Sequence, residues 1–337
     1  MKKIICLFLA LAALLALMAG CKDVTLGPEE PTTIVVAEDD LANAIDQMNL
    51  DPSALDADYQ DTIRRLIGQG VTFPADDPPV QTMPPPMPTG VPIRAEDVYP
   101  LMEKVRNIFD SGKYTLKARG STPPSPGMPI GTTPVTFAVD KGQSAFEAEF
   151  DWTNMMRAMA QPGSQEYAMA PIAGATMATY FGKTVRFVTK PEGSIILFLD
   201  QQTYMQMPAG EGGENGESIL GVGNMFGDMF KPDKQGTVTA SKVTGNDGIV
   251  YLCGEIKGGE GVLLSYYFRP DQNNALKRIE MKMDNPETKK TETFVFEIEQ
   301  LTETADAAMF STAGFKPVSV DEMAQMGENG FGSLFGG

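Results

Sequence analysis

The chain has 337 residues, 42% of them hydrophobic, and a formal net charge of −17 at pH 7. This length is sufficient to bury a sizeable core. The strong negative charge repels phosphate backbones, so we do not expect nucleic-acid binding. The chain contains no histidine, which removes the most common general base, metal ligand and pH-sensitive side chain.

Residues 1–20 have the design of an export signal. Two lysines precede an apolar run over residues 4–18, and two small residues follow it. The run is too short to span a hydrocarbon core of about 30 Å comfortably as a permanent helix. This order of charge, apolar run and small residues is typical of a secretory signal. Its removal would take two lysines away and bring the formal net charge from −17 to −19.

The segment Leu17-Met18-Ala19-Gly20-Cys21 resembles the lipobox of bacterial lipoproteins. In that family a diacylglycerol is attached to the cysteine thiol, and a peptidase cuts just before it. The resemblance implies that Cys21 is the lipidation site and the mature N-terminus; Met18 stands where the family usually has leucine. Acyl chains contribute about 0.8 kcal/mol per buried CH₂, so two or three would anchor the protein to a membrane.

We therefore expect an extracytoplasmic chain, lipid-anchored to the cell membrane, or to the outer membrane if the host has one. The alternative is an ordinary secreted protein with a chance cysteine at this position.

Residues 21–93 read as an acidic, proline-rich tether with short helices. Apolar spacings of three and four residues predict helices around residues 41–48 and 59–67. Eight prolines then fall between Pro74 and Pro92. Such a run favours extended polyproline II and acts as a semi-rigid spacer. A ligand for a peptide-binding module is the alternative reading.

Residues 94–320 predict an α+β, mainly β domain. One helix is expected over residues 97–110, ended by Ser111-Gly112. Apolar alternation predicts about eleven strands in a sequential antiparallel sheet with one apolar face. The predicted strands are Tyr114–Ala118, Val135–Val139, Phe146–Trp152, Val185–Phe187, Ile195–Leu199, Thr203–Met207, Val238–Ala240, Ile249–Ile256, Val262–Phe268, Ile279–Met283 and Phe294–Ile298.

The apolar face of so large a sheet needs a cover. The predicted helix is one candidate, and insertions over Thr153–Ala175 and Gly210–Lys231 are two more. After cleavage and acylation only Cys253 would keep a free thiol. Because it lies in a strand-like run, we expect a buried, inert side chain in preference to a reactive one. Residues 321–337 read as a disordered Gly/Phe tail.

Over roughly residues 95–320 the order of features resembles the LolA and LolB lipoprotein carriers and the related mycobacterial LppX-type lipoproteins. The segments that carry the resemblance are Phe109–Leu116, Ser194–Phe198, Thr203–Met207, Phe296–Leu301 and Ala308–Val318. The resemblance implies a curved antiparallel half-barrel, with a helix and helical lids over a greasy cavity. It further implies that the cavity holds acyl chains or another apolar ligand.

The methionine content supports a deformable apolar surface. The chain has 21 methionines, and methionine suits surfaces that fit variable apolar partners. The alternatives are that these residues fill the core or bind Cu(I). The candidate pocket residues are Leu101, Met102, Val105, Phe146, Phe150, Met155, Met156, Phe187, Met205, Met207, Met225, Phe226 and Met229.

No catalytic motif is evident. The glycine-rich run over residues 221–227 has Phe226 where a dinucleotide fingerprint needs glycine. Glu147 and Glu149 alternate with apolar residues and indicate a solvated strand face rather than a catalytic pair. We expect a non-catalytic lipid-binding module without a cofactor. The alternative is an envelope sensor or scaffold that uses the same fold to bind a protein partner.

Overall fold

A single curved antiparallel sheet, not closed into a barrel, dominates the protein, which is an α+β, mainly β fold. The computed structural model describes residues 37–47, 57–68, 83–122, 131–159, 165–208, 231–232, 237–257, 262–284, 291–319 and 322. Among these residues, no helix has the length and apolar character that crossing a membrane requires.

Five α-helices lie within the described residues: α1 (Glu38–Gln47), α2 (Ala57–Gly68), α3 (Tyr99–Asp110), α4 (Trp152–Met159) and α5 (Gln165–Phe181). The sheet has 13 strands. They are β1 (Val91–Pro92), β2 (Lys113–Thr122), β3 (Gly131–Asp140), β4 (Gln143–Glu149), β5 (Thr184–Lys190), β6 (Gly193–Phe198), β7 (Thr203–Pro208), β8 (Val238–Thr244), β9 (Val250–Lys257), β10 (Leu263–Arg269), β11 (Ala275–Asp284), β12 (Thr291–Thr302) and β13 (Lys316–Pro317).

The eleven predicted strands correspond to β2 to β12, except that β4 ends at Glu149 and Trp152, predicted as strand, begins α4. The two additional strands are two-residue pieces at the edges. Pieces of that length show no alternation in the sequence, which is why they were not predicted. The helix over 97–110 is confirmed as α3, with Pro100 in its first turn. It ends at Asp110, and Gly112, whose φ of +61° suits a glycine, follows Ser111.

The strand order differs from the expected meander. It runs β1-β8-β9-β10-β11-β12-β2-β3-β4-β5-β6-β7-β13, so β7 and β8 lie far apart while the last long strand pairs with β2. Sequential strands pair with one another within β2–β7 and within β8–β12, mostly through short connections. The exception is the connection between β4 and β5, which contains α4 and α5. The connection between β7 and β8 is long, and it lets the second group add to the other side of β2. Local alternation carries no information about this join.

Strand alternation gives the sheet two distinct faces. We call the inner face the one that carries Phe137, Phe146 and Ile196, and the outer face the one that carries Ala138 and Ile195. Helix α3 packs on the inner face over β2–β4 and β9–β12. Helices α4 and α5 pack on the inner face over β5–β7. The helices of the predicted cover therefore lie on one side of the sheet.

The end of the proline-rich run lies on the outer face. Residues 83–92, which we call the proline strap, include Met87, which packs against Tyr267 and its neighbours. Val91 and Pro92 then pair with β8 as an edge strand. The sequence predicted a spacer over this stretch, and six of its ten side chains are exposed. Met87, the Pro85 carbonyl and the backbone of residues 91–92 nevertheless contact the sheet.

An ion pair beneath the proline strap is almost completely buried. The Arg278 guanidinium lies 2.7 Å from the Glu280 carboxylate, with the side chains 9% and 1% exposed. Arg278 also donates to the Pro85 carbonyl at 2.9 Å, and the Tyr267 hydroxyl donates to Glu280 at 3.3 Å. Glu280 neutralises the buried charge of Arg278, and the Pro85 carbonyl of the strap accepts a further hydrogen bond from Arg278. The strap therefore covers the ion pair, and the ion pair holds the strap in place.

Cys253 lies in the same outer-face cluster and is buried, as expected. Its burial, and next the negative charge of Glu255, raises the pKa of the thiol to about 12. A thiol that stays protonated near neutral pH is a poor nucleophile. Cys253 is therefore a packing residue of the strap interface.

A second segment, residues 307–318, covers the outer face over β3–β7 and forms what we call the C-terminal cover. Met309 is buried there, and Phe310 and Phe315 pack beside it. Arg186 donates to the Ala308 carbonyl at 2.9 Å and lies 2.6 Å from Glu147. Glu147 thus lies on the outer face as predicted, but in an ion pair beneath this cover and not in open solvent.

Replacement of Arg278 should reveal how much the strap interface contributes. Arg278→Met leaves the Glu280 carboxylate buried without its guanidinium, so the free energy of unfolding should fall by about 3 kcal/mol. The matched control is Arg119→Met, whose partner Glu299 lies 3.2 Å away with both side chains 57% exposed. That control should cost about 0.5 kcal/mol or less. Urea denaturation measures both, and equal losses would contradict the assignment.

Candidate functional site

Ten of the predicted pocket residues fall within the described part of the chain, and all ten belong to the inner-face clusters. Leu101, Met102, Val105 and Phe146 belong to the α3 cluster. Those of the α4–α5 cluster are Met155, Met156, Met205 and Met207. Phe150 and Phe187 pack against both. Met225, Phe226 and Met229, like Cys21, lie outside the described residues.

Strand register arranges the inner face of β2–β7 in three rows. The middle row crosses six adjacent strands without interruption through Leu116, Phe137, Phe146, Phe187, Ile196 and Met205. The Phe137 and Phe146 rings stack with centroids 4.9 Å apart, and those of Phe146 and Phe187 are 6.3 Å apart. The middle row is therefore a continuous aromatic and aliphatic surface.

The middle row passes beneath the junction of the two helical covers. Phe150 and Phe187 are half-buried at this junction, whereas Phe137 and Ile196 on either side are each 1% exposed. We call the junction at Phe150 and Phe187 the seam. At the seam, two large aromatic side chains are left partly uncovered by the helices.

Helix α5 is apolar around its whole circumference. Its sheet-facing side carries Ala173 and Met177, and Ile172 and Thr176 are also fully buried. A helix of this character is a buried element rather than an amphipathic surface helix. The Trp152 indole donates to the Gly182 carbonyl at 2.6 Å, which connects the start of α4 to the end of α5.

Helix α3 places a charged side chain within the apolar cluster. Arg106 is 5% exposed and its Nε donates to the Pro232 carbonyl at 2.9 Å. Lys231 lies 3.0 Å from Asp110 on the same helix. Arg106 was not among the predicted site residues, although it stands four residues after Met102 and therefore on the apolar face of the helix. Arg106 and Asp110 hold residues 231–232 against α3.

Tyr266 also lies in the α3 cluster, fully buried on β10. Burial raises the pKa of its hydroxyl, while the positive charge of Arg106 opposes this shift. The hydroxyl therefore stays protonated near neutral pH.

One row of the inner face is polar at its centre. It runs through Tyr114, Val139, Ser144, Thr189, Ser194 and Met207 and adjoins the middle row. Ser144 and Ser194 are each 4% exposed, and among the described residues the Ser194 Oγ has no hydrogen-bond partner. We call Ser144, Thr189 and Ser194 the hydroxyl row. Serine and threonine in alternating strands give no sequence signal for such a feature until the register is known.

A polar cleft of about 410 Å³ lies where α5 meets the sheet. Its lining residues are Glu149, Ala178, Gly182, Lys183, Thr184 and Asp200. The Asp200 carboxylate accepts from the backbone amides of Lys183 and Thr184 at 2.5 and 3.0 Å. These hydrogen bonds occupy the Asp200 carboxylate. We therefore assign Asp200 a structural role and do not treat the cleft as a functional site.

The described residues offer no group of three or more His, Cys, Asp or Glu side chains that could hold a metal ion. Two pairs of methionines, each separated by one residue, are the candidates for Cu(I) binding, and both pairs face inward. Met205 and Met207 lie on β7, and Met281 and Met283 lie on β11, several strands away. Each pair is surrounded by apolar side chains, so packing or ligand contact explains both.

Close packing of α4 on α5 gives a prediction about the helical cover. A Cβ added to Gly174 would lie 2.6 Å from the backbone nitrogen and Cα of Thr153. In a free helix Gly→Ala is stabilising by about 1 kcal/mol, but here α4 must move. We expect Gly174→Ala to lower stability by about 1–3 kcal/mol and to speed amide exchange in α4. A variant as stable as the parent would refute this packing.

Comparison with known proteins adds no relative: no protein-family model matches the chain, and no curated protein matches it.

Proposed function

We propose that the chain is a membrane-anchored extracytoplasmic lipoprotein that binds a lipid, an acyl chain or another apolar ligand. The ligand would lie between the inner face of the sheet and the helices α3, α4 and α5, and no bond would be made or broken. One observation carries the proposal: the middle row is apolar without interruption, and at the seam its Phe187, together with Phe150, is only half-buried.

The dimensions and chemistry of the middle row suit an acyl chain. Six strands at about 4.8 Å spacing give a surface about 24 Å long, which accommodates an extended acyl chain. None of the residues in the three inner rows of β2–β7 is Asp, Glu, Lys or Arg. An apolar ligand therefore meets no charge that it would have to desolvate.

Methionine gives the same surface its adaptability. Met155 and Met156 on α4 and Met205 and Met207 on β7 meet in one cluster at the far end of the middle row. Unbranched thioether side chains repack around ligands of different shape at little cost. Binding would displace these side chains from contacts with one another, and the gap would be filled by the ligand.

Anchoring through Cys21 would place this site outside the cytoplasm, near the acyl chains of a membrane. The support for this part of the proposal is the sequence alone: the signal over residues 1–20 and the lipobox-like segment that ends at Cys21. The chain between Cys21 and the proline strap would then set the distance of the folded domain from the bilayer.

Substitution at the seam tests ligand binding. Phe187→Gln keeps most of the side-chain volume but puts an amide on the middle row, so the affinity for a fluorescent fatty acid should fall about tenfold or more. The matched control is Phe315→Gln, a half-buried phenylalanine of the C-terminal cover on the outer face. Fluorescence titration of the mature chain measures both. Equal affinities for the two variants would contradict a site at the seam.

Substitution at the acylation site tests anchoring. Wild-type cells grown with a palmitate analogue should carry the label on this chain, whereas Cys21→Ala should carry none and should be absent from the washed membrane fraction. Cys253→Ala is the control, because that thiol is buried and its loss should leave labelling unchanged. Labelled Cys21→Ala protein would rule out lipidation at this position.

A further inference from the structure

The hydroxyl row stands out because the rest of the inner face of β2–β7 is nearly all apolar. Its three members lie side by side on neighbouring strands, since Ser144 pairs with Thr189 and Thr189 pairs with Ser194. They lie next to the middle row, at the end of the strands where the β3–β4 and β5–β6 hairpins turn. Helix α4 begins at the other end of β4, so the face is polar at one end and apolar at the other.

Ser194 makes this arrangement costly for the protein on its own. Its Oγ is buried and has no hydrogen-bond partner in the part of the chain that the structure describes. An unsatisfied buried hydroxyl costs stability that alanine would not. Buried polar groups in folded proteins almost always have a hydrogen-bond partner, so an exception calls for an explanation. The position of Ser194 beside an apolar surface suited to an acyl chain has an explanation if a polar atom of the bound ligand supplies the missing hydrogen-bond partner.

We propose that the hydroxyl row binds the uncharged, oxygen-bearing head of an acylglycerol-type lipid, whose acyl chain lies on the middle row. The inference rests on the proposed function and deepens it by naming the ligand class. Ser194 would exchange hydrogen bonds with a hydroxyl or ester oxygen of the head, with Thr189 and Ser144 beside it. The acyl chain would run along the middle row past Phe187 towards Phe146 and Phe137.

The three inner rows of β2–β7 themselves favour an uncharged head group. No charged side chain stands in the three inner rows of β2–β7. On α3, the buried guanidinium of Arg106 donates to the Pro232 carbonyl. An anionic head at Ser194 would therefore be buried without a counter-charge in its row, which costs far more than burying a hydroxyl or an ester. Hydroxyl donors and acceptors match an uncharged head instead.

The test uses the mature chain with two probes that share one fluorescent acyl chain. One probe is the monoacylglycerol, and the other ends in a methyl group and has no head. Ser194→Ala should weaken monoacylglycerol binding about three- to tenfold, as expected for one hydrogen bond, and should leave the affinity for the headless probe within about twofold of the parent's. Thr189→Val should act in the same direction.

Thermal melting separates a binding role from a structural role. Ser194→Ala should melt no lower than the parent, because it removes an unpaired buried hydroxyl. The matched control is Ser265→Ala on the outer face, where a fully buried hydroxyl donates to Glu255 at 3.1 Å. That control should melt lower and keep both affinities.

Two results would overturn the head-group inference alone. One is an unchanged monoacylglycerol affinity in Ser194→Ala. The other is a joint loss of both affinities and of thermal stability, which would show that the hydroxyl serves the fold. A parent chain that binds neither probe would overturn the proposed function, and the head-group inference would fail with it.

Discussion

Two-residue alternation in a sheet that does not close is the constraint on which the rest of this structure depends. Each long strand turns one set of side chains to the inner face and the other set to the outer face. Because both faces carry apolar residues along part of their length, both need covers. The inner face is covered by helices, which can shift as units. The outer face is covered by the proline strap and the C-terminal cover, and arginines of the sheet donate hydrogen bonds to both.

The two faces differ in the kind of contact that holds their covers in place. On the outer face, Arg278 and Arg186 each pair with a carboxylate of the sheet and donate to a backbone carbonyl of a cover, so movement of either cover would break a charge-assisted hydrogen bond. On the inner face, the contacts at the seam are aromatic and thioether contacts, which can be exchanged for contacts with another apolar body. An inner face held by exchangeable apolar contacts, on a sheet whose outer face is held by polar ones, suits the lipid-binding function that we propose.

The sequence allowed the strands and the main helix to be predicted because their signals are local. Alternation identifies a strand such as β4, and the i, i+4 pattern that begins at Val98 identifies α3. The pairing of β12 with β2 could not be predicted, since it depends on where a long connection leads. The contacts of the proline strap with the sheet could not be predicted, because polyproline composition indicates a backbone conformation and not the surface on which it packs. The pocket residues were chosen for apolar character, and those described share one face. Arg106 and Ser194 were missed because polar residues gain meaning only from the register and burial around them.

Native mass spectrometry of the mature chain, secreted from cells and purified without detergent, tests the central claim most directly. The account predicts that a substantial fraction of molecules carry one adduct with the mass of a lipid, and that mild activation releases it to leave the bare chain. If the chain were bare in every preparation, and an apolar dye found no access to the inner face, the sheet would be a filled core and the account would be wrong.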